Sequence, residues 1–85
     1  MHVLPHDLDH EFPEFVPLIH ELKSTDGRLA GLFEEYERVN REIVDIEEND
    51  KVFQDFEFED LKKKRLRLKD DIYLALQAHD RSRIL

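Results

Sequence analysis

Between residues 29 and 46, apolar side chains recur at steps of three and four without a break: Leu29, Leu32, Tyr36, Val39, Ile43 and Ile46. Such steps put all six on one helix face, a heptad seam. A strand, whose side chains repeat every two residues, cannot keep this set on one side. The seam therefore fixes a helix and requires a second apolar surface to cover it. Phe33 widens the stripe at its start, while Glu34, Glu35, Arg38, Arg41 and Glu42 mark the opposite face. Ser24-Thr25-Asp26, three good N-cap residues in a row, place the helix start near residue 26. A helix from about residue 26 to about 49 is about 35 Å long.

A second seam follows. Phe58, Leu61, Leu68, Ile72 and Ala75 share a face, with Arg65 at the one long step. Asp55 can cap this helix, and Glu57, Glu59 and Asp60 suit the positive end of its dipole. The spacing predicts a helix from about residue 56 to about 79, after a loop over about 49–56. Leu66, Tyr73, Leu74 and Leu76 add apolar surface on its flanks, and a helix apolar over so wide an arc has more than one neighbour.

Folding the two helices back near residue 52 pairs positions whose numbers sum to about 105. Leu61 then meets Ile43 or Val44, Leu68 meets Tyr36, Ile72 meets Leu32 and Phe33, and Leu76 meets Leu29. Charge supports the same pairing. Residues 1–60 hold five basic and eighteen acidic side chains, residues 61–85 eight and three. Lys62, Lys63 and Lys69 are expected beside Glu42, Glu35 and Glu34. The fold class is thus all-α: an antiparallel, coiled-coil-like helical hairpin.

A short leading helix precedes it. Phe15, Leu18, Ile19 and Leu22 form one apolar face within residues 12–23. Pro13 suits a first helical position, but Pro17 would then sit in the fifth, where it removes a hydrogen bond and clashes with the preceding turn. Either the helix begins near Pro17 or residues 13–16 form a separate turn. Residues 1–11, polar and containing three His, are expected to be a flexible arm; residues 12–80 form one domain and 81–85 a flexible tail. Two helices alone make a thin core, so further burial must come from the leading helix, a second chain or both.

Several segments are similar to those of the YdcH-like family, small bacterial proteins of unknown function. They are His10-Glu11-Phe12-Pro13-Glu14-Phe15, Ile19-His20-Glu21-Leu22-Lys23, Leu32-Phe33-Glu34-Glu35-Tyr36, Val39-Asn40-Arg41-Glu42-Ile43 and the block Leu61 to Ile72. The resemblance covers roughly residues 7–79. It implies a helical hairpin with coiled-coil character in the bacterial cytosol, and it carries no catalytic residues with it. Pro17 departs from the family pattern, in which a charged residue is more usual there.

Composition narrows the chemistry. An 85-residue chain holds one domain and little material for a walled pocket. With no Cys there is no disulfide scaffold, Cys-ligated zinc or thiol catalysis. Adjacent acids such as Glu34-Glu35, Glu47-Glu48 and Asp70-Asp71 point about 100° apart on a helix and do not converge. Gly27 and Gly31 lack the Lys-Ser or Lys-Thr of a phosphate loop, and neither Ser24 nor Ser82 sits in a nucleophile motif. His2, His6 and His10 are spaced four apart, yet Pro5 interrupts any helix there, so a plain polar arm is preferred to a metal site. No enzyme activity, cofactor or metal is expected. The longest apolar run, Ile72 to Leu76, is far short of the roughly 20 residues of a membrane span. Asp7, Asp9 and Glu11 stand where a signal peptide needs an apolar core, so a cytoplasmic setting is expected.

Two binding readings remain. Phe53, Phe56, Leu66, Tyr73, Leu74 and Leu76 exceed what a lone hairpin needs and are the candidate face for a partner, either a second copy or another helical protein. The alternative is weak nucleic-acid binding through Lys62, Lys63, Lys64, Arg65, Arg67 and Lys69. A net charge of −8 and the lack of aromatic residues in that stretch weigh against it.

Overall fold

The computed structural model describes residues 6–48 and 55–84, with side chains for 6–48 and 57–82. Along these residues run α1 (Leu8–Glu11), a 3₁₀ turn (Pro13–Phe15), α2 (Val16–Thr25), α3 (Gly27–Glu48) and α4 (Asp55–Ile84). Helices α3 and α4 form the hairpin, and α2 packs chiefly against α3.

The expected arm is partly built into the fold. Asp7 accepts from the His10 backbone N–H at 2.9 Å and caps the single turn of α1. Leu8 and Phe12 are buried at 2% and 3% exposure. Their apolar bulk holds this turn against the domain where the surrounding polar residues would not. Phe12 ends α1 because the residue before a proline is driven out of helical geometry; its φ and ψ are −129° and 61°.

Both alternatives for the leading helix hold together. Pro13 opens a separate 3₁₀ turn, and α2 starts at Val16 with Pro17 in its first turn, where no amide hydrogen is required. Of the three expected caps, Asp26 does the capping. Its Oδ1 accepts from the N–H groups of Arg28 and Leu29, both at 3.1 Å, while its own N–H donates to Leu22 and closes α2. Ser24 and Thr25 belong to the last turn of α2 and donate back to the Glu21 carbonyl.

Helix α4 continues past residue 79 to Ile84, so residues 81–84, expected in the tail, are helical. Of the loop expected at about 49–56, residues 55 and 56 are already helical, while 49–54 and the side chain of the proposed cap Asp55 lie outside the described residues.

The register follows the expected pairing. Arg65 Nη1 donates to Asn40 Oδ1 at 2.9 Å, and His79 Nε2 lies 3.4 Å from Asp26 Oδ2; each pair of residue numbers sums to 105. Ile19, Ile43, Ile72 and Leu76 belong to one core cluster and have no exposed surface. Leu18 and Leu22 join them from α2, so the leading helix contributes burial that the bare hairpin lacks. The buried arc of α3 turns toward α2: Phe33, Asn40 and Val44 are buried, while the seam residue Leu32 is only partly so.

The expected charge pairing changes in detail. Glu35 pairs with Lys64 at 3.2 Å, Lys69 reaches Glu11 at 2.7 Å, and Lys62 lies 3.7 Å from Glu59 on its own helix. The leading segment, packed over α4, brings Glu11 to Lys69 ahead of any acid on α3.

Candidate functional site

The outward side of α4 carries the exposed apolar residues. Leu66 is 59% exposed, Leu74 63% and Tyr73 39%. Tyr73 is covered on one side: its ring stacks on Phe12 at 6.0 Å and meets Phe15 edge-on at 6.2 Å, while its hydroxyl accepts from Gln77. Leu66 and Tyr73 are seven residues apart and share a face. Leu74 lies one position further round, toward α3.

Leu76 does not belong with this set. It has no exposed surface and sits in the core cluster with Leu29. The 100° step between adjacent helix positions turns it inward while Leu74 stays outside. Phe53 and the Phe56 side chain lie outside the described residues.

The basic stretch is largely engaged within the fold. Lys62 sits 4.3 Å above the Phe58 ring and near Glu59; Lys64 pairs with Glu35, Arg65 with Asn40 and Lys69 with Glu11. Lys63 and Arg67 are exposed and flank Leu66.

One polar cluster fastens the leading segment. Tyr36 donates its hydroxyl to the His6 carbonyl at 2.7 Å, and the His6 ring lies 2.5 Å from Glu11, which also takes Lys69. The Lys69 hydrogen bond holds the Glu11 carboxyl below the usual carboxylate range, against burial and with help from His6. Burial, followed by the charge of Glu11, pushes the Tyr36 hydroxyl up to about 12. These groups bond to one another. Among the described residues no three His, Asp or Glu side chains are placed to share a metal ion.

The hairpin face away from this segment is open. A groove of about 870 Å³ runs between α3 and α4, walled by Leu29, Gly31, Leu32, Leu74, Ala75 and Ala78, with Arg28 and Asp71 also in its lining. A second, of about 600 Å³, has Ile46 and Leu61 as its apolar wall and Glu42, Asp45, Glu57 and Asp60 around it. Both lie on one face, because Glu35 and Glu42, like Lys64 and Asp71, are seven residues apart. The Glu35–Lys64 ion pair crosses between them. No described helix is long and apolar enough to cross a membrane.

The fold and this surface define a class: a small all-α protein whose helical hairpin is closed on one face by its own leading segment and open on the other. Residues 29–76, which span the hairpin from its first core leucine on α3 to Leu76, match the family model described as "Protein of unknown function (DUF465)". Over 66 residues the chain is 35% identical to "Uncharacterized protein YdcH" of Escherichia coli (strain K12) and likewise to that of Shigella flexneri. The aligned region is 78% of this chain and 89% of each relative. The chain belongs to this YdcH-like family. No solved structure matches it.

Proposed function

We propose that the protein acts without catalysis, in the cytoplasm, by helix–helix association: it binds a second copy of itself or another helical protein through apolar surface on α4. The observation that carries this reading is the exposure of Leu66 and Leu74, 59% and 63%, on a helix whose core positions are already satisfied. Two large aliphatic side chains kept in water each forgo roughly 1.5–3 kcal/mol of burial, which a partner helix recovers. Charged neighbours such as Lys63, Arg67 and Asp71 then set the register and the choice of partner. Nucleic-acid contact through residues 62–69 has less support, since Lys62, Lys64, Arg65 and Lys69 already hold partners in the fold.

Molar mass from light scattering over a concentration series tests the reading, with the Leu66→Arg/Leu74→Arg double variant alongside. The expected result is a mass above 10.3 kDa that returns to 10.3 kDa in the variant. A wild-type mass of 10.3 kDa at every concentration, with no helical protein retained from extracts of the source cell, would overturn it.

A further inference from the structure

The hairpin has two broad faces, and the described residues of the leading segment cover one of them. His6, Glu11 and Lys23 from the leading segment reach Tyr36, Lys69 and Glu37 on the covered side. The other side holds the groove between Leu32 and Ala75. Its relief is uneven. Leu74 projects from one wall, while Gly31, Ala75 and Ala78 leave a recess beside it; a Cβ added at Gly31 would meet nothing within 4 Å. A projection next to a recess on one surface is what a two-fold contact uses, because each copy offers both halves.

We propose that the occupant of this face is a second copy of the chain, with the two α4 helices antiparallel about a two-fold axis at Leu74 and Ala75. The proposal rests on the association reading above and assigns its partner and geometry. Leu74 of each copy enters the recess at Ala75 and Ala78 of the other.

The charges give an independent argument. With Leu74 opposite Ala75 of the second copy, Asp71 comes opposite Ala78 of that copy. By the register of Asn40 with Arg65 and Asp26 with His79, Ala78 stands level with Gly27 across its own hairpin, one residue from Arg28. Each Asp71 therefore faces an Arg28 of the other chain, and symmetry makes two such pairs. Arg28 and Asp71 both line the groove, both are exposed, and neither holds a side-chain ion pair among the described residues. The same contact in any other copy of the chain would meet the same charges, so no other partner needs to be supplied.

A charge exchange tests this in solution. Arg28→Glu and Asp71→Arg each set like charges against each other at both symmetric positions. Each variant alone should weaken the dimer by about tenfold or more. Mixed in equal amounts, the two variants regain opposite charges across the interface, and the mass should return to about twice 10.3 kDa. Recovery in the mixture cannot come from a pair within one chain. Circular dichroism checks that each variant keeps its helix, and Arg28→Gln with Asp71→Asn replaces any that does not; those two should weaken the dimer less and recover in part on mixing, since the mixed dimer regains one Asp71–Arg28 pair.

Wild-type chains that stay at 10.3 kDa overturn the second-copy proposal, and association with a different helical protein is then the reading left to test. A dimer that ignores both charge variants but dissociates in Leu66→Arg also overturns it, while confirming association through the other side of α4.

Discussion

Arg65 on α4 donates from Nη1 to Oδ1 of Asn40 on α3 over 2.9 Å. Asn40 is a polar residue at 1% exposure, set among Tyr36, Val39, Ile43 and Val44. A buried amide is costly to strand, so this bond does more than add stability: sliding α4 by a turn would bring an apolar side chain to Asn40. Arg65→Met should lower the unfolding free energy by about 1–3 kcal/mol, the range for a hydrogen bond to a charged group. Asn40→Leu with Arg65→Met should cost less than the two changes summed, with a coupling of about 1 kcal/mol. Urea unfolding of the four proteins in the cycle measures it. Strict additivity would mean the bond has no energetic role.

Leu74 and Leu76 are two positions apart and opposite in environment, 63% and 0% exposed. At concentrations low enough to keep the chain monomeric, Leu76→Ala should cost about 2–5 kcal/mol as a core truncation. Leu74→Ala should stay within about 0.5 kcal/mol as a surface change. Equal losses in denaturant unfolding would contradict the inward placement of Leu76.

Alkali should loosen the leading segment. Burial, and then the Glu11 charge, raise the Tyr36 hydroxyl from 10.0 to about 12. The unfolded chain then loses its tyrosine proton first as pH rises. The stability from keeping Tyr36 neutral is complete below pH 10 and disappears as pH climbs toward 12. Tyr36→Phe should cost about 1 kcal/mol at neutral pH and flatten this alkaline limb. An unfolding series by circular dichroism across that range reads both effects, and an unchanged limb in the variant would remove Tyr36 as its source.

Acid acts through the opposite sign. The Lys69 hydrogen bond lowers the Glu11 carboxyl below its ordinary 4.5. The contribution of the pair is present above that value and is lost as pH falls through the folded-state range below it. Lys69 is 38% exposed and Glu11 17%, so Glu11→Gln should cost no more than about 1 kcal/mol at pH 7. Its difference from wild type should vanish at low pH. A difference that persists in acid once the wild-type carboxyl is protonated would show that Glu11 acts by packing alone.

The hairpin was legible because seams repeat: two runs of apolar side chains at helical spacing fix both helices, and their match fixes the register. Asp26 was legible as a cap by residue type, but only the structure separates it from Ser24 and Thr25, which bond back into α2. The role of residues 8–12 was not. Leu8 and Phe12 extend the spacing of Phe15, Ile19 and Leu22 backward at steps of four and three, but Pro13 breaks the helix between them, and what buries them is long-range packing against the hairpin. Glu11 with Lys69 is a contact 58 residues apart that no local pattern encodes. Leu66 and Leu74 were marked as surplus by count, and both side chains are exposed. Leu76 was swept in with them, although its step from Ile72 already placed it on the core side. The recess beside Leu74 comes from small residues on two helices, Gly31 on α3 and Ala75 and Ala78 on α4, and becomes a surface only once the helices pair.

The chain has no cysteine, so a single introduced thiol reports on its own position. Leu74→Cys and Leu66→Cys offer similar exposure on the same helix, 63% and 59% in the parent residues. Treatment with a short thiol-specific cross-linker should convert the Leu74→Cys protein to a covalent dimer and leave Leu66→Cys a monomer, with both retaining wild-type helicity. Equal cross-linking at the two positions, or cross-linking at residue 66 alone, would contradict docking of a second copy over the open face of the hairpin.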